Sequence, residues 1–457
     1  MTEVVPCEKV HKLPDGQLTL LGAWRTVTGA MSRVELGGRA VLVDCGVPQG
    51  RDARGFRMPD AARDVDAVVL THGHNDHVGS LPALLEGGFD APILGTPATL
   101  AVTRLSLEDS LEMLRASHAD VRAFLRRFDA LSRPSPYSAP REALPGVTLA
   151  FHEAGHILGS ASVELRSASS RVILSGDLGR PNAPILRDPN TTWDTSVPLD
   201  LAVIETTYGG REHAHGHDDV RADLERVLLD AYANKSRVLV PSFAIGRTQT
   251  LLYILNELVE DGRVPAFPVA LDTPMGLSVT DTYKRFSRLF DRESLERLAH
   301  GDSDVLDWET LFVVKRGSDS YKLRDLPGPL LIIAGSGMCT GGRIVRHLID
   351  GLPDPSTVVL FVGYQAEGTP GRRIQDAAKA GGKLDIDGEE VLVRARVENV
   401  KGLSAHADRA ELLAWLRHLP TPRALALHHG DEEAQRSFAA YVNERGLSPR
   451  APTPPSR

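Results

Sequence analysis

The stretch Thr71-His-Gly-His-Asn-Asp-His77 directly follows the apolar run Ala67-Val-Val-Leu70. That run has the length and β-branched content of a buried strand, so the histidines occupy a strand-end loop. Three imidazoles and one carboxylate this close together cannot all face an apolar core, because each buried polar group without a partner costs about 1–3 kcal/mol. In a tight loop they can converge on cations instead, His72 and His74 pointing one way, Asp76 and His77 another. Imidazole and carboxylate donors without thiolate suit zinc kept open for catalysis, or manganese or another divalent ion. The bland alternative is a polar loop that happens to be rich in histidine; the strand-loop setting favours the metal.

The rest of the chain supplies a scaffold for such a loop. Apolar runs recur at Ala40-Val-Leu-Val-Asp44, Arg171-Val-Ile-Leu-Ser175, Leu201-Ala-Val-Ile-Glu205, Arg237-Val-Leu-Val-Pro241, Leu330-Leu-Ile-Ile-Ala334, Val358-Val-Leu-Phe-Val362 and Ala424-Leu-Ala-Leu-His428. Helical patterns lie between them. Val220, Leu224, Val227, Leu228 and Ala231 share one helical face behind Asp218 and Asp219, which read as N-caps, and residues 104–133 read as two charged amphipathic helices covering the first domain. Strands alternating with helices predict an α/β fold, and 457 residues are enough for two or three domains. No apolar run is long enough for a bilayer-spanning helix, and the first residues lack a signal-peptide pattern. Cys7, Cys45 and Cys339 lie far apart, which points to free thiols in a reducing cytoplasm. A net charge of −8 argues against a protein that merely coats nucleic acid, though a local groove with bound cations can be positive on an acidic body.

Three further residues end strands or follow small-residue turns: His156 in Ala154-Gly-His-Ile-Leu-Gly-Ser160, Asp177 in Ser175-Gly-Asp-Leu-Gly179, and His429 in His428-His-Gly-Asp431. Each alone is weak. Together they complete two sites, His72, His74 and His156 around one ion and Asp76, His77 and His429 around the other, with Asp177 small and acidic enough to bridge them.

The order His-x-His-x-Asp-His, a distant His and then Ser-Gly-Asp resembles the metallo-β-lactamase superfamily. Asp44 in Val43-Asp-Cys-Gly46 matches its first motif, a strand-end carboxylate that supports the ligands from behind. The chain then continues through Glu205-Thr-Thr-Tyr-Gly209, Val240-Pro-Ser-Phe-Ala-Ile-Gly-Arg-Thr-Gln249, Asp272-Thr-Pro-Met275, Ser336-Gly-Met-Cys-Thr-Gly-Gly-Arg343, Leu403-Ser-Ala-His-Ala-Asp408 and His429-Gly-Asp431. This series resembles the β-CASP nucleases over nearly the whole chain. It implies an αββα sandwich carrying an inserted α/β domain: residues 1–209 and 401–447 would form the metallo-β-lactamase domain, 210–400 the insertion, and 448–457 a disordered tail. Glu205, His406 and His429 then take the places of the family's motifs A, B and C, and a histidine at motif C accompanies the RNA-cutting members. Thr206 departs from the commoner Ser, and Asp431 from the usual Glu.

The implied activity is hydrolysis of RNA phosphodiester bonds by a hydroxide held between two zinc ions, in RNA processing or decay. Asp76, Glu205 and His406 are the implied catalytic residues, His406 as general acid and Glu205 as the group that orients it. Single-stranded RNA is the implied partner, without a membrane, and the family allows a homodimer. Gly-rich turns at Ser336 and Gly337, together with Arg247 and Arg343, are candidates for phosphate contacts, although glycine turns mostly serve geometry. A second cluster, His213-Ala-His-Gly-His-Asp-Asp219, reads as a solvated junction loop, and His11, His118, His152, His300, His347 and His418 carry no comparable context. The rival readings are a DNA nuclease, another hydrolase on the same core, and a scaffold without activity. The last requires lost ligands, and all seven are present.

Overall fold

A computed structural model describes residue 4 and residues 6–50, 53–300 and 304–447; the tail expected to be disordered lies outside the described residues. The chain forms two compact units: residues 1–181, 187–212 and 406–457 in one, residues 182–186 and 213–405 in the other.

The first unit is built on two sheets. One runs in spatial order Val10–Leu13, Gly16–Gly22, Met31–Leu36, Arg39–Val43, Ala67–Val69, Ile93–Gly95 and Ser132–Pro134. Its first four strands are an antiparallel meander, and from Arg39–Val43 onward the pairing is parallel. The other runs Pro422–His428, Leu199–Glu205, Arg171–Leu174, Ala161–Arg166, Val147–Glu153 and Arg141–Leu144, parallel across its first three strands and antiparallel beyond.

Side-chain alternation explains the layering. In Leu199–Glu205 every residue is buried. Leu201 and Val203 enter the core between the sheets, with Leu18, Val34, Val41 and Val69 of the first sheet and Phe151, Val163 and Leu174 of the second. Ala202 and Ile204 face the other way, against Leu412, Leu413, Trp415 and Leu416 of the helix Arg409–Leu416 and Phe438 and Val442 of Glu432–Arg445. The outer face of the first sheet presents Leu42, Val68 and Ile93 to Leu81, Leu84, Leu100, Leu107 and Phe128. The result is helix, sheet, sheet, helix, the αββα sandwich the motifs implied. Each fully buried Leu, Val or Phe adds roughly 1.5–3 kcal/mol.

The second unit holds six parallel strands in the order Leu311–Val313, Val269–Asp272, Leu330–Ala334, Arg237–Pro241, Thr357–Phe361 and Arg396–Asn399, with a separate hairpin of Lys383–Ile386 and Glu389–Leu392. Its central strands are buried throughout, as continuous apolar runs require.

Two helix starts differ from the sequence expectation. The helix before Ala231 is Asp218-containing His217–Ala233 with Gly216 at its N-cap; Asp219 stands three positions inside and accepts from the Gly216 N–H. The cover helices are Pro97–Met113 and His118–Leu131, the first beginning earlier than 104 because the Thr96 side chain caps it through Thr99 N–H and Pro97 suits the first turn.

Candidate metal centre

Strand ends place the loop. Asp44 follows Arg39–Val43 with φ +61°, and its N–H donates to Val69 O, tying the ends of two parallel strands together. Cys45 N–H donates to His77 O, and Gly46 lies so close to the histidine loop that a Cβ there would meet Asp76 O at 1.7 Å. The Ser175-Gly-Asp177 turn brings in a carboxylate from the second sheet. Pairing of Pro422–His428 with Leu199–Glu205 sets His428 opposite Glu205 and delivers His429 beside the same turn.

All seven expected ligands meet in one buried cage within the first unit. His72, His74 and His156 form one group, Asp76, His77 and His429 another. Asp177 lies between them: Oδ2 is 3.7 Å from His72 Nε2 and from His156 Nε2, while Oδ1 is 3.3 Å from His77 Nε2 and 3.6 Å from His429 Nδ1. Burial favours a neutral Asp177, but the charges of His429, His77 and His72 outweigh it and hold the carboxyl well below its usual range.

Hydrogen bonds behind the cage fix the tautomers. Thr71 Oγ1 donates to Asp44 Oδ2 (2.8 Å) and so accepts from His72 Nδ1 (3.1 Å). His77 Nδ1 donates to Asp44 Oδ2 at 2.7 Å. Thr207 Oγ1 donates to His429 O and accepts from His429 Nδ1 at 3.0 Å. Each of these rings therefore turns an Nε2 lone pair inward. Two such lone pairs, on His77 and His429, are only 3.1 Å apart, and His74 Nδ1 lies 3.0 Å from His72 Nε2 and 3.2 Å from His156 Nε2. Facing lone pairs repel unless a shared cation or proton sits between them. Asp177 Oδ1 is also buried without a hydrogen-bond donor among the described residues. This donor set fits divalent cations.

Beside the cage, Glu205 Oε1 accepts from Leu178 N–H at 2.9 Å and faces His406 Nδ1 at 3.0 Å, and Oε2 accepts from Thr207 N–H. His406 is 3.8 Å from Asp177 Oδ2. Burial alone would lower the His406 pKa, but the Glu205 charge and hydrogen bond and the Asp177 charge push it up to about 9. Residues the sequence did not single out complete the surround: Tyr208 stacks on His406 with ring centroids 6.1 Å apart, and Thr71 and Thr207 orient ligands. Thr206, at the position where Ser is commoner, donates to His428 O, and Asp431 caps the helix Glu432–Arg445.

The expected phosphate residues lie in the second unit, at strand ends. Arg343 is engaged within the chain, by Asp272 Oδ1 at 2.6 Å and the carbonyls of Val314 and Lys315, while Arg247 donates to Val362 O at 2.8 Å. Asp272 Oδ2 also meets His347 Nε2 at 2.6 Å and accepts from Ser320. His347, which had no context in the sequence, thus has a buried carboxylate partner.

Comparison with known proteins decides the family. Residues 26–242 match the family model of the metallo-beta-lactamase superfamily, 248–374 that of the Beta-Casp domain, and 390–452 that of the Zn-dependent metallo-hydrolase RNA specificity domain. The chain is 38% identical to a ribonuclease of Thermus thermophilus over 93% of its own length and 95% of that protein's. The chain belongs to the β-CASP family of the metallo-β-lactamase superfamily. It is likewise 30% identical to the transcription termination factor FttA of Methanocaldococcus jannaschii, covering 93% of this chain and 68% of that one. A crystal structure of a protein of unknown function from Enterococcus faecalis shares the fold at a TM-score of 0.53, with 12% identity over 92% of this chain and 95% of the other. As a β-CASP protein the chain is a hydrolase. No helix among the described residues is long and apolar enough to cross a membrane.

Proposed function

We propose that this β-CASP protein is a ribonuclease that hydrolyses phosphodiester bonds of single-stranded RNA at a dinuclear zinc centre, in cytoplasmic RNA processing or decay. One observation carries the reading: inward lone pairs of His77 and His429 face each other at 3.1 Å beside the buried Asp177, with the His406–Glu205 pair adjoining. His72, His74 and His156 would hold one ion, Asp76, His77 and His429 the other, and Asp177 both. Bound divalent ions supply an acidified water and neutralise phosphate charge.

The chain's own groups do the rest. Asp44, Thr71 and Thr207 hold the ligand rings in the tautomer that directs Nε2 inward. Glu205 holds His406 through Nδ1, which leaves Nε2 to pass a proton to the departing oxygen. The ribonuclease relative and the RNA specificity match support RNA as the substrate. In this reading residues 210–400 are the inserted β-CASP domain, and 401–447 return to complete the first.

The test is cleavage of matched RNA and DNA oligonucleotides labelled at the 5′ or 3′ end. RNA shortened with DNA left intact is expected, and the product ends distinguish internal cutting from end trimming. Intact RNA after incubation with zinc- or manganese-loaded protein would overturn the proposal.

A further inference from the structure

The second unit carries a feature that the hydrolytic centre does not use. Its parallel sheet reverses direction of growth beside Arg237–Pro241. After that strand the chain moves to Val269–Asp272 on one side, and after the neighbouring Thr357–Phe361 it moves to Arg396–Asn399 on the other. In open parallel sheets the crevice beyond the carboxyl ends of two such strands is where ligands bind. The two strands pair directly, Arg237 with Thr357 and Leu239 with Val359, so their register continued past the strand ends sets Phe243 level with Gly363.

Two large aromatic residues stand exposed at this place. Phe243 is 42% exposed and Tyr364 55%. An apolar ring left in water is a cost the fold does not require here, because the backbone around both is held by other groups. Thr248 N–H and Oγ1 both donate to Phe243 O, and Gln365, buried beside Tyr364, donates to Gly337 O at 2.9 Å and Gly363 O at 3.2 Å. Arg247 clamps Val362 O at 2.8 Å. The glycine between the two loops is part of the same arrangement: a Cβ on Gly337 would lie 2.6 Å from the Phe243 ring, so this ring rests flat on backbone. Charges around it are mixed, Arg372 and Arg373 against Glu367, on a chain of net charge −8. Attraction here comes from ring faces more than from charge.

We propose that Phe243 and Tyr364 form a base-stacking platform for single-stranded RNA at the switch point of this sheet. The inference rests on the ribonuclease reading for the identity of the ligand. Ring faces accept any base, so the platform gives affinity for unpaired strands with little sequence preference, and a duplex, whose bases are already stacked, gains nothing from it.

The test is binding of a phosphorothioate-linked single-stranded RNA carrying 2-aminopurine, followed by anisotropy and by base fluorescence, with a blunt RNA duplex as control. Phe243→Ala and Tyr364→Ala are each expected to weaken single-strand binding about tenfold and to restore quenched 2-aminopurine emission, with duplex binding unchanged. Phe243→Tyr and Tyr364→Phe should bind like wild type, which separates stacking from misfolding. Single-strand affinity within twofold of wild type in the double alanine variant overturns the platform, as does equal loss for strand and duplex. A wild-type protein that leaves RNA uncut instead strikes the ribonuclease reading, so the two failures are distinguishable.

Discussion

Asp44 shows how much of the centre depends on residues behind the ligands. Held at φ +61°, it accepts from Thr71 N–H, Thr71 Oγ1 and His77 Nδ1. Replacing it with Asn keeps the shape but removes the charge that fixes the His77 tautomer. Asp44→Asn is expected to weaken metal binding about 10–100-fold, read by competition with a chromogenic chelator; unchanged affinity would make Asp44 a simple turn residue. His406→Ala is expected to abolish strand cleavage with both metals retained, and loss of metal in that variant would reassign His406 as a ligand. The ligands were legible because four of them fall within six residues and the others follow small-residue turns. Their hydroxyl partners were not: Thr71 and Thr207 look ordinary in sequence, and only the fold shows that each hydroxyl fixes a ring. The Asp272–His347 pair was hidden for another reason, since the two residues are 75 positions apart.

At the scale of elements, helix Arg409–Leu416 is anchored by Asp408, whose side chain accepts from Ala410 and Glu411 N–H while Glu411 answers at the Asp408 N–H. His406 lies two residues before this cap. Asp408→Ala should cost about 0.5–2 kcal/mol in urea unfolding; no change would mean the cap does not hold the helix. A second element-scale test concerns strand Ala161–Arg166. Burial raises the Glu164 carboxyl pKa, but hydrogen bonds from His152 and Arg166 and the charge of Arg171 outweigh it and hold the group at about 2. A depressed carboxylate stabilises the fold fully above its unfolded pKa of about 4.3, and that contribution fades as pH falls towards 2. The stability gap between wild type and Glu164→Gln should therefore hold constant from pH 5 to 8 and shrink on acidification; a gap that widens in acid contradicts the pairing. Strands buried on both faces were readable as continuous apolar runs. The meander from Val10 to Leu36 was not, because its strands are half-exposed and alternate over only a few residues. Helix starts misplaced from sequence were those capped by Gly216 and Thr96, where the cap depended on backbone conformation more than on residue type.

At the scale of the molecule, the first unit is discontinuous in sequence. Strand Pro422–His428 and helices Arg409–Leu416 and Glu432–Arg445 return after residue 405 to complete the second sheet and its outer core. The distance between His77 and His429 in the chain made this closure legible, since a cage with both residues must join the two ends. A chain cut after residue 405 is expected to bind no metal pair. Residues 213–405, with their own sheet and core, are expected to unfold cooperatively when expressed alone; a non-cooperative urea transition would show that they depend on the rest. The central claim is tested most directly by titrating zinc into metal-free protein while following cleavage of labelled single-stranded RNA. Cleavage absent at the start, rising with added zinc and reaching its plateau at two ions per chain, is the expected result. Full cleavage by the metal-free chain, or none at two bound ions, would contradict it.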